Sequence, residues 1–530
     1  MMRKIGIILL LICLLVLPGC NSVNDESALN AGQPDRLELE DGVSVVTPDG
    51  DGDKEPMEIE EDPLDSPIPS EEEGGEQPIY LEKTEELLRL GPFNGILPQI
   101  EWSPEGKNLA ISGYSDGFGI WVFDYTKDKV RQLLQIPPRE DSDYINLQLL
   151  GWSPQGKDLY FALEGLQTSS PYAGLKGTYV GRIEVAKGVA QEVAWFADEG
   201  RGARSQLKLT HGSNLLVYSQ GDVWQVNMSS GKKKILLEGV FPGNGPGQVF
   251  FSPTGRYMVH QHKDGGRNGL VLIDTKNRKS SLIISDRDYH FFPQWGPSDE
   301  KLAFLTGLRR EDGYDLFVGE DGALPPATLI QVFNLQDKSL TSYRIPDRQV
   351  GGPMWSPDGK RLALLSARWK EEVLNSFGPD LRWEGLWEIE TDTGRLQLLA
   401  TLKGEWFSLG GWSPNSDDIY LYRYEADGSS SLQVVDRREK RIKYTIQEAI
   451  DEPILWYKGS LVIGKVLEDS KRGDLYTEIY LVDPGGRTSQ LTHNGGWKNG
   501  FRCWADQLAY VRGDTTDLSY LLYVEIISLP

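Results

Sequence analysis

Few residues of this chain could do chemistry, and each has an ordinary structural explanation as well. The stretch GYSDG, residues 113–117, matches the G-x-S-x-G pattern in which a serine, here Ser115, acts as a nucleophile. That pattern needs a strand before it and a helix after it, whereas here it joins two predicted strands. We therefore interpret it as a turn, and no catalytic residue is predicted.

Two groups of residues could hold a metal. His260 and His262 are two residues apart on a predicted strand, so they share one face and could bind a metal together with His290. The alternative is that they are partly exposed strand residues. The run DGDGDKEPMEIE, 49–60, has carboxylates at calcium-loop spacing, but Lys54 stands where the sharp turn needs glycine. No metal and no cofactor is predicted.

The elements that position these residues come from one repeated unit. The stretch MWSPDGKRLALLS, 354–366, combines a type I turn, with Pro357 and Gly359 in favoured places, and an apolar strand. Related stretches begin at residues 101, 151, 250, 294 and 411, and fainter ones at 207, 454 and 501, which makes nine copies. From 101 to 501 the eight intervals average 50 residues.

Each copy continues into further strands, as in GIWVFDYTKDKVRQLL after the first copy, so the unit has four strands. A period of this size indicates a β-propeller, because stacking blades around an axis buries sheet faces that one blade cannot bury alone. We predict an all-β propeller of about eight four-stranded blades, with seven to nine possible, over residues 78–530. The repeated tryptophans are expected to be core wedges and not a carbohydrate platform: Trp102, Trp152, Trp295, Trp355 and Trp412.

The ordered pattern WSPDGKxLA, IWxxD and LT resembles the propeller repeats of the TolB family, over roughly residues 77–530. The resemblance implies a WD-like propeller and protein partners at a membrane or wall. The α/β domain that TolB carries before its propeller is not found in the sequence, so a role in the Tol–Pal system is not expected.

The two ends of the propeller region are predicted to share one blade. The final stretch SYLLYVEIISLP is the third strand of the last copy and lacks a fourth. Residues 85–90, just before the first copy, are interpreted as the missing outer strand. A short helix over 83–90 is the alternative.

Residues 1–20 are predicted to be a lipoprotein signal peptide. Arg3 and Lys4 precede an apolar run, 5–17, whose 13 residues are too few to span a bilayer and typical of a signal sequence. The following LPGC resembles a bacterial lipobox, in which cleavage leaves a lipid-modified Cys20 as the first residue. Ordinary secretion with an incidental cysteine is the alternative. The resemblance implies at least two acyl chains, enough for stable anchoring in the outer or cytoplasmic membrane.

Residues 21–77 are predicted to be a disordered acidic linker. They hold 19 Asp or Glu residues against Arg36 and Lys54, a net charge of −17, and no aromatic residue. The whole chain carries −23 and shows no basic stripe, so nucleic acid is not predicted as a partner. We expect a monomer.

Binding residues are predicted where the repeat is interrupted or where strands converge. The strand leading into each WSP turn should be innermost, and two insertions, 307–328 and 367–385, separate second and third strands in neighbouring units. Decorative variation is the alternative for the insertions. The candidates are Arg204, His290 and Gln294 in the axial funnel, and Arg309, Arg310, Trp369 and Trp383 in the insertions.

The predicted function is a non-catalytic scaffold outside the cytoplasm that binds an envelope protein or a cell-wall polymer. The alternative is an envelope hydrolase or lyase that uses the axial funnel.

Overall fold

The computed structural model describes residues 80–530, except 84–86, 95, 116, 137–145, 168–174, 198–205, 211–212, 220, 239–248, 265–266, 308–327, 346–348, 370–380, 405, 426–428, 448–453, 469–474 and 514–520. Within these residues there are strands and turns but no helix, and so no helix able to cross a membrane. The predicted signal peptide, Cys20, the acidic linker and the run 49–60 lie outside the described residues.

The described chain forms nine antiparallel sheets, each a blade of a propeller. The first two strands are β1 (Tyr80–Lys83) and β2 (Leu88–Asn94). Blade 1 consists of β3 (Gln99–Trp102), β4 (Asn108–Ser115), β5 (Gly117–Asp124) and β6 (Lys129–Ile136). Blade 2 consists of β7 (Asn146–Trp152), β8 (Asp158–Gln167), β9 (Leu175–Glu184) and β10 (Val189–Ala197). Blade 3 consists of β11 (Gln206–Thr210), β12 (Asn214–Ser219), β13 (Asp222–Asn227) and β14 (Lys233–Leu237).

The remaining six blades follow in chain order. Blade 4 consists of β15 (Val249–Phe251), β16 (Tyr257–Asp264), β17 (Arg267–Asp274) and β18 (Lys279–Asp286). Blade 5 consists of β19 (Tyr289–Trp295), β20 (Lys301–Gly307), β21 (Leu329–Asn334) and β22 (Leu340–Arg344). Blade 6 consists of β23 (Gln349–Trp355), β24 (Arg361–Trp369), β25 (Leu381–Glu390) and β26 (Arg395–Thr401). Blade 7 consists of β27 (Trp406–Trp412), β28 (Asp418–Tyr424), β29 (Ser430–Asp436) and β30 (Arg441–Gln447). Blade 8 consists of β31 (Leu455–Tyr457), β32 (Ser460–Glu468), β33 (Leu475–Val482) and β34 (Thr488–Gln490). Blade 9 contains β35 (Trp497–Trp504), β36 (Gln507–Gly513) and β37 (Leu521–Ser528).

The propeller has nine blades, so the best estimate of eight was one too low, although nine lay within the predicted range. The three fainter copies of the repeat, which begin at 207, 454 and 501, each form a blade of their own. They lack the WSP turn but keep the buried apolar strand after it: Leu215–Tyr218, Leu461–Ile463 and Leu508–Val511 are all buried. Burial of that strand, and not the turn sequence, is what a blade requires.

The hairpin turn of the repeat is held by its serine and its glycine. In blade 6 the Gly359 amide donates to the Ser356 carbonyl (2.9 Å), and the Ser356 hydroxyl accepts from the Arg361 amide (3.0 Å). Gly359 has a φ of +68°, the left-handed region that glycine tolerates best. The predicted type I turn with Ser first and Gly fourth is confirmed.

The five repeated tryptophans lie in five of the nine blades, and each joins its own blade to the preceding one. Each indole Nε1 donates to a first-strand carbonyl of the neighbouring blade, at distances from 2.9 to 3.2 Å, as Trp355 does to Gln294 and Trp102 to Arg502. The prediction that they are core wedges is therefore confirmed. In blade 9 the position belongs to Cys503, which pairs with Leu508 as Trp102 pairs with Leu109.

Nine apolar cores, one at each interface between consecutive blades, hold the ring together. The core between blades 5 and 6, for example, contains Phe291, Ile330 and Leu364. The ninth core joins blade 9 to blade 1 through Leu90, Phe93, Leu109, Val511 and others. The ring therefore closes by the same apolar packing that joins its other blades.

Blade 9 combines both ends of the chain, with the strand order β1-β2-β37-β36-β35. The predicted closure by an N-terminal outer strand is confirmed, but that strand is Leu88–Asn94 and not 85–90. A fifth strand, β1, extends the sheet beyond it. A buried carboxylate, Glu525, fixes the junction, since it accepts from Arg89 Nε on β2 (2.8 Å) and from the Tyr510 hydroxyl on β36 (2.7 Å).

Candidate functional site

The first strand of each blade lies nearest the axis. First strands of consecutive blades contact one another, as β19 and β23 do, whereas fourth strands such as β6 alternate exposed and buried residues. Antiparallel pairing places the start of each first strand beside the end of the second, as Trp406 pairs with Tyr424 and Tyr289 with Gly307. The starts of the inner strands and the connections between second and third strands therefore share one end of the ring, termed the top face.

Both sequence insertions start and end at the top face. They connect β20 to β21 in blade 5 and β24 to β25 in blade 6, which are neighbouring blades. Arg309 and Arg310 lie outside the described residues, as does Arg204, and Trp369 is the last residue of β24. The placement of both connections at one end agrees with the sequence-based expectation.

Three large aromatic side chains of the inner strands are about half exposed. Trp406 and Trp497 are the first residues of β27 and β35, and each is 45% exposed. Phe292, within β19, is 50% exposed. The ring of Phe292 lies edge-on to that of Phe291, with the ring centres 5.5 Å apart, and β19 is the inner edge strand of blade 5. These rings could pack against apolar side chains or sugar rings.

Phe292 also has an unusual backbone. Its φ is +53°, and it lies in a bulge where the register of β19 with β20 shifts between Phe291 and Gln294. Blades 6 and 9 have the same bulge, with Gly352 (φ +53°) and Gly500 (φ +65°) at the equivalent position. A non-glycine residue in this region costs roughly 1–2 kcal/mol. An aromatic side chain is thus held where the fold favours glycine.

His290 lies inside blade 5 and not on the funnel wall. Its ring is fully buried, with Nδ1 3.0 Å from the Thr306 hydroxyl and Nε2 3.0 Å from Asp286 Oδ1. The Thr306 hydroxyl also donates to Gln331 Oε1 (2.9 Å). Among the described residues, no group of three or more His, Cys, Asp or Glu side chains is placed to hold a metal.

Lys498 is the other basic side chain among the first two residues of the nine inner strands. It is buried, with Nζ 3.1 Å from Glu478 Oε2, and it donates to the carbonyls of Thr477 (2.5 Å) and Gly495 (2.7 Å). Burial lowers the pKa of Lys498. Like His290, it is occupied by partners inside the fold, so it serves the packing of blades 8 and 9.

The remaining predicted residues have structural contacts. The Gln294 carbonyl accepts the indole N–H of Trp355 (3.0 Å), so its backbone joins blades 5 and 6. Trp383 lies on β25 near the end of the blade 6 insertion and packs over Gly351, where an added Cβ would lie 2.8 Å from its ring. Among the residues that the structure describes, no acceptor pairs with its buried indole N–H. Ser115, of the G-x-S-x-G stretch, is buried at the end of β4 and pairs with Gly117 across a hairpin, with no helix after it.

Sequence reasoning missed Phe292 and Trp497. The signal for Phe292 was available: the copy in blade 5 reads FFPQW where the copy in blade 6 reads GGPMW. A comparison of the copies position by position places Phe292 where blades 6 and 9 have glycine. Trp497 has no such signal, because its exposure depends on where β35 begins.

No protein-family model and no curated protein matches this chain. Among solved structures, it is similar to an oligogalacturonate lyase in complex with manganese, at 11% identity over 86% of this chain and 97% of the other, with a TM-score of 0.36. It is also similar to TolB from Acinetobacter baumannii, at 12% identity over 76% and 80%, with a TM-score of 0.27. The propeller domain of the Trilobed protease from Pyrococcus furiosus matches at 10% identity over 74% and 97%, with a TM-score of 0.34. These similarities include a lyase, a protease domain and TolB, and they concern the propeller fold alone.

Proposed function

We propose that this chain is a membrane-tethered binding protein outside the cytoplasm, which captures an envelope protein or a wall polymer on its top face without transforming it. The observation that carries the proposal is the set of half-exposed aromatic side chains on the inner strands, Phe292, Trp406 and Trp497. Tryptophan is among the residue types that contribute most to binding when an interface desolvates it.

The backbone conformation of Phe292 supports a role of this residue in binding. Its left-handed conformation is unfavourable for a residue with a Cβ, and blades 6 and 9 avoid that cost with Gly352 and Gly500. Strained residues of this kind are concentrated at functional sites. Packing accounts for only part of the side chain, since the ring contacts Phe291 but half of the residue is exposed.

The insertions mark the same region of the ring. They belong to blades 5 and 6, next to the blade that carries Trp406, and both start and end at the top face. The proposed contact residues in this sector are Arg309, Arg310, Trp369 and Trp383, and those of the funnel are Arg204 and Gln294. Their support is the position of their segments in the fold. His290 is left out because its ring is buried inside blade 5.

The tether is proposed from the lipobox around Cys20 and the acidic segment 21–77. Cys20→Ser should release the protein from membranes or block its processing. Membrane fractionation and the mass of the mature N-terminus measure this. A variant that matures and fractionates like the parent would contradict the anchor and leave the binding site untouched.

Binding is tested with two defined probes, purified cell-wall sacculi and detergent-solubilised envelope membranes with chemical cross-linking. Trp406→Ala with Trp497→Ala should weaken capture at least roughly thirtyfold, the loss expected when a hot spot worth about 2 kcal/mol is truncated. Trp504→Ala is the matched control, because Trp504 is also part-exposed (38%) but ends β35 at the opposite face.

Phe292→Gly separates binding from stability. The variant should capture the probe less well yet unfold at the same denaturant concentration as the parent or a higher one, since glycine relieves the backbone strain. Capture that is unchanged in both the tryptophan and the Phe292 variants would refute the proposal.

The second candidate is an envelope hydrolase or lyase, and the contacts around His290 are the observation that favours it. Carboxylate, imidazole and hydroxyl are aligned in Asp286, His290 and Thr306. A nucleophilic hydroxyl must be accessible to the substrate. Here the hydroxyl residue, Thr306, is only 1% exposed, whereas the side chain of Asp286 is 40% exposed. An enzyme would be established if the parent protein releases cleaved product from the captured polymer and the His290→Ala variant does not.

A further inference from the structure

The bottom face, at the opposite end of the ring, carries a basic cavity on blade 3. Its volume is about 460 Å³, and it is lined by Asn214, Gln225, Asn227, Lys232, Lys233 and Lys234. None of these six residues is acidic, although the chain as a whole carries a net charge of −23.

All three lysines line the cavity, and the sheet geometry puts two of them on the same face as Gln225 and Asn227. Gln225 pairs with Lys234, and the Asn227 amide donates to the Lys232 carbonyl (2.9 Å). Side chains two residues apart on a strand share a face, so Lys232, Lys234, Gln225 and Asn227 all belong to one face of blade 3.

The middle lysine fixes the strand on the other face. Lys233 Nζ lies 5.4 Å from the ring centre of Phe196 and 5.3 Å from that of Trp224, and it donates to the Trp195 carbonyl (3.4 Å). These contacts hold β14 against blade 2. In the described part of the chain, the amino groups of Lys232 and Lys234 make no hydrogen bond or ion pair, so both charges are available to a ligand.

The other blades show what blade 3 has lost. In several blades, the side chain of the last residue of the third strand accepts hydrogen bonds from backbone amides of the following turn. Asp124 does so in blade 1, Asp274 in blade 4 and Asn227 in blade 3. At this position six blades have an acidic residue: Asp124, Glu184, Asp274, Glu390, Asp436 and Asp483.

The acid usually has a basic residue opposite, as in the pairs Asp124 with Lys129 and Glu390 with Arg395. In blade 3 the basic residue, Lys232, is kept while the acid is replaced by Asn227. Asparagine makes the same turn contacts as aspartate but adds no charge, so the substitution leaves the fold as it is and makes the cavity cationic.

We propose that this cavity binds the phosphate group of a phosphate-bearing ligand. Two lysines on one face, about 7 Å apart at their Cα atoms, together with the side-chain amides of Gln225 and Asn227 that line the same cavity, match an anion that offers several acceptor oxygens. The ligand is either free phosphate or a phosphate polymer that runs along the bottom face, and the two share this recognition chemistry.

The experiment is calorimetric titration of the detergent-solubilised full chain with inorganic phosphate and, separately, with soluble polyphosphate at constant ionic strength. Binding of inorganic phosphate identifies a single-phosphate site, and binding of polyphosphate alone identifies a polymer site. Lys232→Ala with Lys234→Ala should abolish either signal.

The decisive variant is Asn227→Asp, which restores the acid found in six other blades and keeps the turn. It should weaken binding about tenfold or more, as expected from one like charge placed within about 5 Å of the anion. Asn334→Asp is the matched control, because Asn334 ends the third strand of blade 5, and its side chain likewise accepts a turn amide, that of Gln336 (2.9 Å). Equal affinity in the Asn227 variant and the parent would overturn the proposal, as would the absence of binding to both probes.

Discussion

Removing the guanidinium of Arg89 should loosen the closure of the ring at one defined strand. Arg89 on β2 donates from Nε to Glu525 Oε1 at 2.8 Å, and the Glu525 side chain is fully buried in β37. Arg89→Ala leaves that carboxylate with the Tyr510 hydroxyl, the Asn494 amide (2.8 Å) and Arg512 at 3.9 Å. The N-terminal strand then loses its one ionic link to the last strand among the described contacts.

The size of the effect follows from burial. Breaking a buried ion pair by removing one partner costs about 3–5 kcal/mol. The lower end applies here, because Arg89 is 25% exposed and three donors remain near Glu525. A loss of about 3 kcal/mol raises the population in which β2 is detached from β37 roughly a hundredfold, at about 1.4 kcal/mol per factor of ten.

Native-state hydrogen exchange resolves this opening strand by strand. Amides of β2 and β37 should exchange roughly a hundredfold faster in Arg89→Ala, while those of blades 3 to 6 keep the parent rate. Arg487→Ala is the control, because its ion pair with Asp483 involves an arginine side chain that is 90% exposed and such pairs contribute little. The reasoning is refuted if β2 exchanges equally fast in the parent and in Arg89→Ala.

Two further predictions concern the contacts that join the blades. Trp102→Phe and Trp355→Phe should each lower the free energy of unfolding by about 1 kcal/mol, because each loses one indole hydrogen bond to the preceding blade; denaturant titration measures this. Burial and the neighbouring Glu525 raise the pKa of Tyr510 well above 10, so the folded state keeps its proton at a pH where the unfolded state loses it. Stability should therefore fall as the pH rises above 10, and Tyr510→Phe should be less stable at pH 7 but fall less steeply; parallel denaturation curves for the two proteins at alkaline pH would contradict this.

The repeat made the fold predictable from sequence because its strongest signals are local. A Ser-Pro-x-Gly turn followed by an apolar strand specifies one hairpin, and its recurrence specifies a propeller. The blade number was harder to predict. The sequence shows nine copies, but those at 207, 454 and 501 lack the WSP turn, and eight was preferred because a ring of nine blades is less usual. The outer strand of blade 9 was misplaced by three residues at its start, because its position depends on pairing with β37, more than 400 residues away in the chain.

The site was less predictable, because exposure and orientation are properties of the assembled ring. His290 was expected in the funnel, but its position beside Asp286 and Thr306 turns it into the blade. Trp383 was predicted as a binding residue of the insertion, and nothing in the sequence indicated that its ring packs over Gly351. A polar residue at the start of an inner strand can face either the axis or the neighbouring blade, and its residue type does not show which.

The nine blades provide an internal alignment that separates packing residues from others. Where Cys503 replaces the repeated tryptophan, the thiol fills a partly buried position in the core between blades 8 and 9, so the change has a packing explanation. Phe292 in place of glycine strains the backbone, and Asn227 in place of an acid leaves Lys232 without a counter-charge. The Phe292 departure has a backbone cost, and the Asn227 departure keeps the turn contacts while it removes a negative charge. Each can be reversed to the residue that other blades use, so a variant that folds as well as the parent but loses binding assigns the departure to function.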